Sequence, residues 1–584
     1  METSVELSQD IIAKANAWLQ SPSVDESSKQ SIRDMLSNDQ RALKESFYSD
    51  LEFGTGGLRG IMGVGTMRMN KYTVGMATQG LANYILKQFP GQTNKVAIAY
   101  DSRNNSRFFS DTAAQVLSAN GIEVYLFDEL RPTPVLSYTV RALGCQAGIV
   151  VTASHNPKEY NGYKVYWNDG AQVLPPHDKG IITEVRHVDG IDSVKFDGNS
   201  NLIQPVPSSV EENYFSEIRK TVFALNEIKN ASTLKIVYTS IHGAGITMVP
   251  RALNELGFQN ISIVEEQAVP DGNFSTVESP NPEEREALSL ALKQAESIQA
   301  DMVLGTDPDT DRVGIAVRND DGKLVLLNGN QSACLLVYYE LMQWKQRNLF
   351  KGNEYIAKTI VTTDLLEEIA GSFGVKWYDT LTGFKYIAGV IRELEGKERF
   401  IAGGEESYGY SVGEFVRDKD AVLSSVVLCE VAAWCHANGK TMWKLLMEIY
   451  QQFGLYHEAL LSLTIKGLDG IEKINSMMSH LRSTPPASLG GSEVVEIRDI
   501  QKGLSVNVRS GVTTKLMLPS SNVLQFILAD GSKVSARPSG TEPKIKFYFS
   551  MKEPLRSGGD YTSQVEKIES RILLIQKELG LKNA

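Results

Sequence analysis

Apolar residues recur at helical spacing across residues 7–50: Ile11, Ile12, Ala15 and Leu19, then Ile32, Met35 and Leu36. Ser21-Pro22-Ser23 breaks the run. Then comes a glycine-dense loop, Phe53-Gly54-Thr55-Gly56-Gly57-Leu58-Arg59-Gly60. Beyond it the pattern switches back and forth between periods near 3.6 and near 2. It predicts helices over 76–88, 108–119 and 133–143, with strands over 96–100, 123–127 and Ala147–Val151 between them. Such alternation predicts a mostly parallel sheet with helices on both faces.

Three segments repeat one design: AQVLSANGIEVYLFD (114–128), ALNELGFQNISIVEE (252–266) and LEEIAGSFGVKWYDT (366–380). Each is an amphipathic helix, a glycine near its C-terminal end (Gly121, Gly257, Gly374) and a short β-rich run. Similar strands lead each unit, at 95–100, 234–238 and 355–361. The glycines are too far apart for a solenoid, so these are three α/β units of similar build. After about residue 455 the pattern changes to a strand over 460–465, a helix around 470–482, a Pro/Gly loop and several later strands. The expected fold is therefore α/β, with three similar mixed domains, mostly parallel sheets, and a C-terminal α+β domain. Boundaries fall at 1–208, 209–325, 326–455 and 456–584.

Length agrees with that count, since 584 residues at ~150 per domain give about four. A net charge of −11 disfavours nucleic acid or a membrane surface as partner, because both reward a basic face. An anionic small substrate stays open, because a pocket can be basic on an acidic protein. Cys145, Cys334, Cys429 and Cys435 are few, widely spaced and lack a CxxC, which reads as reduced core cysteines of a cytoplasmic protein. The first ten residues carry early acids and no apolar core, unlike a signal peptide, and the apolar span 421–435 contains Glu430, as a buried helix would.

Four stretches carry candidate chemistry. In VVTASHNPKEYNGYKV (150–165) a β-branched run delivers Ser154 to a loop, beside His155 and ahead of Lys164. A serine hydroxyl is a weak nucleophile and needs a base or a metal; the bland alternative is a polar loop satisfying its own backbone. In Leu304-Gly305-Thr306-Asp307-Pro308-Asp309-Thr310-Asp311-Arg312 a buried strand runs into three alternating carboxylates. Their repulsion is relieved by a hard cation, and oxygen ligands suit Mg²⁺. An EF-hand loop fails, because Arg312 and Arg318 stand where Gly and Glu are required; a DxDx[TV] phosphatase fails at Asp311. Gly403-Gly404-Glu405-Glu406-Ser407-Tyr408-Gly409 offers a carboxylate and a hydroxyl suited to sugar hydroxyls, or simply a helix cap. Ala536-Arg537-Pro538-Ser539-Gly540-Thr541-Glu542-Pro543 reads as a phosphate cradle, with Lys544 and Lys546 on one face of the following strand, or as a plain hairpin.

Taken in this order, TASHNP, the D-x-D-x-D-R loop, GEES-Tyr-Gly and R-x-S-G-T resemble the α-D-phosphohexomutase family over essentially the whole chain. The resemblance implies that Ser154 is carried as phosphoserine and that Asp307, Asp309 and Asp311 hold Mg²⁺, completed by an oxygen on Ser154. It implies that Glu405 and Ser407 bind the sugar, with Thr382, Gly383 and Arg312 also on the substrate. Arg537, Ser539, Gly540 and Thr541 match the site for the phosphate not being transferred. Arg59 resembles the family's N-terminal active-site arginine. His155, Lys164 and Lys385 match positions proposed for proton transfer; either lysine would serve as a base only with a lowered pKa.

The activity so implied is reversible interconversion of glucose 1-phosphate and glucose 6-phosphate, with glucose 1,6-bisphosphate as intermediate and activator. It would be performed by a monomer or small homo-oligomer. Two departures from the family's pattern stand out, one in the metal loop and one that weakens bidentate phosphate recognition. Pro308 replaces a frequent Gly, and lysines stand on the strand after the cradle where an arginine is often found. With Arg417-Asp418-Lys419-Asp420, Pro308 resembles the subgroup containing phosphopentomutase and glucose-1,6-bisphosphate synthase activities, and mannose is a further alternative. Two rivals lie outside the mutases: a metal-dependent sugar-phosphate phosphatase and a non-catalytic sugar-phosphate sensor.

Overall fold

The computed structural model describes residues 7–54, 56–465, 470–539, 543–555 and 560–581. By internal contacts the chain divides into two compact units: Met1–Asn328 with Ala388–Phe400 and Ser407–Gly439, and Gly329–Ile387 with Ile401–Glu406 and Lys440–Ala584.

The first unit opens with helices Gln9–Gln20, Glu26–Asn38 and Gln40–Phe47. Asp25 and Asp39 cap the second and third by accepting from the N–H groups of Ser28 and Ala42. Trp18 packs edge-on against Phe47 and Tyr72 in a small apolar cluster of their own. The next helix, Lys71–Gln88, starts five residues before the apolar periodicity predicts, because Asn70 and Thr73 form a reciprocal capping box that fixes its first, polar turn.

Six strands form the sheet behind Ser154, in the order Gly57–Ile61, Tyr160–Trp167, Ala147–Val151, Lys95–Tyr100, Glu123–Leu126 and Ile203–Pro205. Ala147–Val151 runs parallel to Lys95–Tyr100 and antiparallel to Tyr160–Trp167. It is buried throughout, which is why it reads as an unbroken apolar run. In a parallel pair the C-terminal ends share an edge, so residues 101–103 and 152–154 emerge side by side. Gly57 shows why the preceding loop is glycine-rich: it sits at φ 142°, and a Cβ there would lie 1.8 Å from the Tyr163 carbonyl oxygen. A second sheet, in the order Leu324–Leu327, Val313–Arg318, Met302–Thr306, Ile236–Thr239 and Ile261–Ile263, places the acidic loop at the end of its central, fully buried strand.

In the second unit Glu354–Thr359 runs parallel to Lys376–Thr380, with Arg399–Glu405 next to it in the sheet. The three repeat glycines all adopt left-handed φ (78°, 108° and 72°), the conformation that ends a helix and turns the chain into the next strand. The C-terminal sheet is antiparallel, in the order Leu455–Thr464, Lys544–Glu553, Lys533–Pro538, Leu524–Leu528, Ser492–Asp499, Leu504–Asn507 and Thr513–Lys515. Its first strand begins five residues before the predicted 460, directly after Gly454 at φ 103°. The α/β class, with a sheet-rich C-terminal domain, is thus the observed one.

All four cysteines are free and buried. No single helix among the described residues is long and apolar enough to cross a membrane. The apolar stretch the sequence singles out is the buried helix Ala421–Ala437, where Glu430 accepts from the backbone N–H groups of Phe223 and Ala224. Asp420 caps this helix through Leu423 N–H and accepts from the Tyr214 hydroxyl at 2.8 Å. Burial pushes the Asp420 carboxyl up to about 6 from an ordinary 3.8. Between those values the unfolded chain releases the proton and the folded chain keeps it. Stability therefore falls as pH rises through that window and stays lowered above it. Asp420→Asn keeps the acceptor and cannot ionise. We expect it to be neutral near pH ~3.5 and to stabilise by on the order of 3 kcal/mol above pH ~7, read from urea midpoints at both pH values.

Candidate active site

Ser154 is held by a stack of buried polar groups. Its backbone sits at φ 51°, its N–H donates to Thr152 Oγ1 at 2.8 Å, and Thr152 Oγ1 donates to Asp101 Oδ2 at 2.6 Å. Beneath the loop lies Arg103, whose side chain is fully buried, 3.4 Å from Asp101. Its guanidinium donates to the carbonyls of Ser154, Asn156, Pro157 and Tyr160, so one planar fork holds the main chain of the loop at four points. Phe274 stacks on that guanidinium with 5.0 Å to the ring centroid. Burial pulls Arg103 down and pushes Asp101 up from their ordinary pKa values, and each opposes the shift of the other.

The Ser154 hydroxyl donates to Asp307 Oδ2 at 2.8 Å, across 153 residues of sequence. Asp307 Oδ1 accepts from the N–H groups of Asp311 and Arg312, which curls the loop onto its own first carboxylate. Asp307, Asp309 and Asp311 are all buried, and one ligand oxygen from each lies within 4.8 Å of the others. Two lysines neutralise the trio: Lys164 Nζ lies 2.7 Å from Asp309 Oδ2 and 3.4 Å from Asp311 Oδ2, and Lys419 Nζ lies 3.1 Å from Asp311 Oδ2. The remaining oxygens, Asp309 Oδ1 and Asp311 Oδ1, are buried with no hydrogen-bond partner. Orphaned carboxylate oxygens beside a serine hydroxyl fit a hard divalent cation such as Mg²⁺. Burial, then Asp309 and Asp311, raises Asp307 well above the carboxylate range. For Asp309 burial acts the same way, but Lys164 overrides it and the carboxyl is held low.

Other expected residues gather here. Burial, then the cationic Arg312 and Arg59, pulls His155 down to about 2. Its Nδ1 lies 3.2 Å from Ser154 Oγ, so at neutral pH it is an uncharged hydrogen-bond partner and a very weak base. Lys164 departs from the condition set for a basic lysine. Burial lowers its pKa, but Asp309 and Asp311 outweigh that and raise it, so it stays an ammonium that donates. Arg59, exposed on the edge strand opposite Gly162, donates to Asn156 Oδ1 at 3.1 Å. Arg312 donates to Glu283 at 2.6 Å.

The second unit arranges the remaining candidates. Thr382 and Gly383 lie in the short turn between the strand Lys376–Thr380 and the helix Phe384–Leu394, and Gly383 N–H donates to Glu405 Oε1 at 2.8 Å. Lys385 Nζ lies 5.4 Å from the Tyr386 ring. Glu406 Oε2 accepts from the hydroxyls of Thr359 and Thr362, which fixes the turn before Ser407. Arg537 lies opposite Lys546 on paired strands, and Ser539 N–H donates to Lys544 O at 2.7 Å. Gly540 and Thr541 lie outside the described residues. Burial, then Glu406, pushes the Tyr548 phenol up to about 12 while Arg537 opposes, so both the GEES turn and the cradle arginine face one tyrosine.

Sequence reasoning missed Asp101, Arg103, Thr133, Lys419 and Tyr548. Lys419 stood in a motif read only as a subgroup mark. Asp101 and Arg103 had a usable signal: they follow the strand parallel to the one that delivers Ser154.

An α/β scaffold that seats a serine hydroxyl on a buried carboxylate trio defines an enzyme class that moves phosphoryl groups between oxygens. The models for phosphoglucomutase/phosphomannomutase alpha/beta/alpha domains I, II and III match residues 50–191, 212–322 and 328–453. A phosphoglucomutase of Staphylococcus aureus (strain MRSA252) is 39% identical over 532 residues, covering 91% of this chain and 94% of its own. The chain belongs to the phosphoglucomutase/phosphomannomutase family. Two solved structures share the fold. Parafusin of Paramecium, a phosphoglucomutase in an open form, has TM-score 0.69 and 20% identity over 91% of this chain and 95% of its own. A family protein of Burkholderia thailandensis has TM-score 0.66 and 19% identity over 91% and 98%.

Arg103→Ala removes the donor to four carbonyls and strands Asp101 in the interior. The expected cost is about 3–5 kcal/mol of stability, with turnover falling at least ~100-fold as Ser154 loses its seat. Urea unfolding and steady-state kinetics of the purified variant check both.

Proposed function

We propose that this protein is a phosphoglucomutase that interconverts glucose 1-phosphate and glucose 6-phosphate through a phosphorylated Ser154 and a glucose 1,6-bisphosphate intermediate. The observation that carries the reading is the Ser154 hydroxyl aimed at Asp307, 2.8 Å away, beside two orphaned carboxylate oxygens. The extent of identity to phosphoglucomutases supports the choice of sugar.

Phospho-Ser154 gives its phosphoryl group to the free sugar hydroxyl as the Ser154 O–P bond breaks and the hydroxyl proton passes, net, to the serine oxygen; the other phosphoryl of the bisphosphate then returns to Ser154 by the same exchange in reverse. Asp307, Asp309 and Asp311 would hold Mg²⁺, which supplies a Lewis acid that neutralises phosphoryl oxygens. Lys164, held as an ammonium by two carboxylates, donates to oxygen as charge develops, and exposed Arg59 adds a second cation. His155 and Arg312 would orient the reacting groups, and Lys385 has the family's proton-transfer role by its motif. Glu405, Ser407, Thr382 and Gly383 grip sugar hydroxyls, and Arg537, Ser539, Gly540 and Thr541 grip the phosphate at rest. Four free, buried cysteines support a cytoplasmic setting.

Ser154→Ala is expected to abolish turnover and phosphate labelling of the protein while the thermal midpoint stays within a few degrees. Glucose 1-phosphate, mannose 1-phosphate and ribose 1-phosphate assayed side by side, with and without glucose 1,6-bisphosphate, should show glucose 1-phosphate preferred and the bisphosphate stimulating. Steady release of inorganic phosphate would instead mark a hydrolase. In Asp309→Asn, activity titrated against Mg²⁺ is expected to stay flat near background.

A further inference from the structure

The helix Thr133–Ala142 starts with a threonine bracketed by Pro132 and Pro134. Proline fixes its own φ and restricts the residue before it, so Thr133 has little backbone freedom. The first N–H groups of a helix lack intrahelical partners. Here Thr133 N–H donates to the backbone carbonyl of Asp309 at 2.9 Å, and Thr133 Oγ1 donates to Asp309 Oδ2 at 3.1 Å. Thr133 is 0% exposed and belongs to the α/β layer that carries Ser154, 176 residues from its partner.

A carboxylate rotates about its terminal torsion with little intrinsic preference, so its neighbours decide which oxygen faces a cation. Asp309 Oδ2 takes two donors, Thr133 Oγ1 and Lys164 Nζ, whereas buried Oδ1 has none. The lysine sits on a flexible four-carbon stem and can follow the oxygen wherever it turns. The threonine hydroxyl sits on a short, β-branched side chain whose backbone is itself bonded to Asp309, so it has almost no reach to follow. The positive end of the helix faces the same loop and favours its negative charge.

We propose that Thr133 is a positioning residue that locks the rotation of the Asp309 carboxylate and so presents Oδ1 to the divalent cation. This rests on reading the acidic trio as the cation site and extends that site into the layer bearing Ser154. The test measures Mn²⁺ binding to the full-length, dephosphorylated protein by electron paramagnetic resonance, in wild type, Thr133→Val, Thr133→Ala, Thr133→Ser and Asp309→Asn. Loss of the hydroxyl in Val and in Ala is expected to weaken Mn²⁺ by on the order of 10-fold, and Ser to restore it to within about twofold. Val and Ala binding as tightly as wild type overturns the proposal, and so does Ser binding as weakly as Val. If Asp309→Asn weakens binding while Val and Ala do not, the cation site stands and only the role of Thr133 is lost. If wild type and Asp309→Asn bind alike, the trio is not the cation site and the proposal falls with it.

Discussion

Three carboxylates confined to one buried loop are the constraint on which the first unit depends. Unit charges 4 Å apart interact by roughly 4 kcal/mol even at an effective dielectric of about 20, so the loop cannot persist without compensation. The structure supplies it from several directions: backbone N–H groups of Asp311 and Arg312 on Asp307, Lys164 on Asp309 and Asp311, and Lys419 on Asp311. Asp309 Oδ1 and Asp311 Oδ1 are still without a hydrogen bond, the latter with Arg312 Nε 3.8 Å away, and an acidic cluster of this kind fits a divalent cation. The same charges raise the Lys164 pKa against the effect of burial, so the lysine stands in the site as an ammonium that donates.

Much of this was legible in the letters. Ser154, His155 and the acidic trio lie on two loops, and Lys164 on the strand after the first, all of residue types that already announced nucleophile and cation chemistry, and the fold places them together. The α/β repeat was legible because each unit ends its helix with a glycine that takes positive φ, a local requirement visible in one dimension. Element ends were less so. The helix at Lys71 begins where a side-chain cap satisfies its first N–H groups, which hydrophobic periodicity does not register.

What stayed hidden were residues whose role exists only across the fold. Arg103 looks like an ordinary post-strand arginine until the neighbouring strand brings four carbonyls over it. Tyr548 is one aromatic in a β-rich run until burial, Glu406 and Arg537 act on its phenol together. The directions of the pKa shifts were hidden for the same reason. Burial alone would make Lys164 a plausible base, and only its carboxylate neighbours Asp309 and Asp311 reverse the sign.

The four-carbonyl grip of Arg103 bears on how the serine loop tolerates a cycling charge. Every phosphorylation and dephosphorylation of Ser154 would swing the local charge by nearly two units. A loop free to relax would rebuild its main chain at each swing and add that reorganisation to every catalytic round. Here the carbonyls are already clamped to one buried planar cation, so the adjustment is confined to the side chain and its counterions. The main chain around the serine is thus a socket built in advance, with Arg103 as its floor.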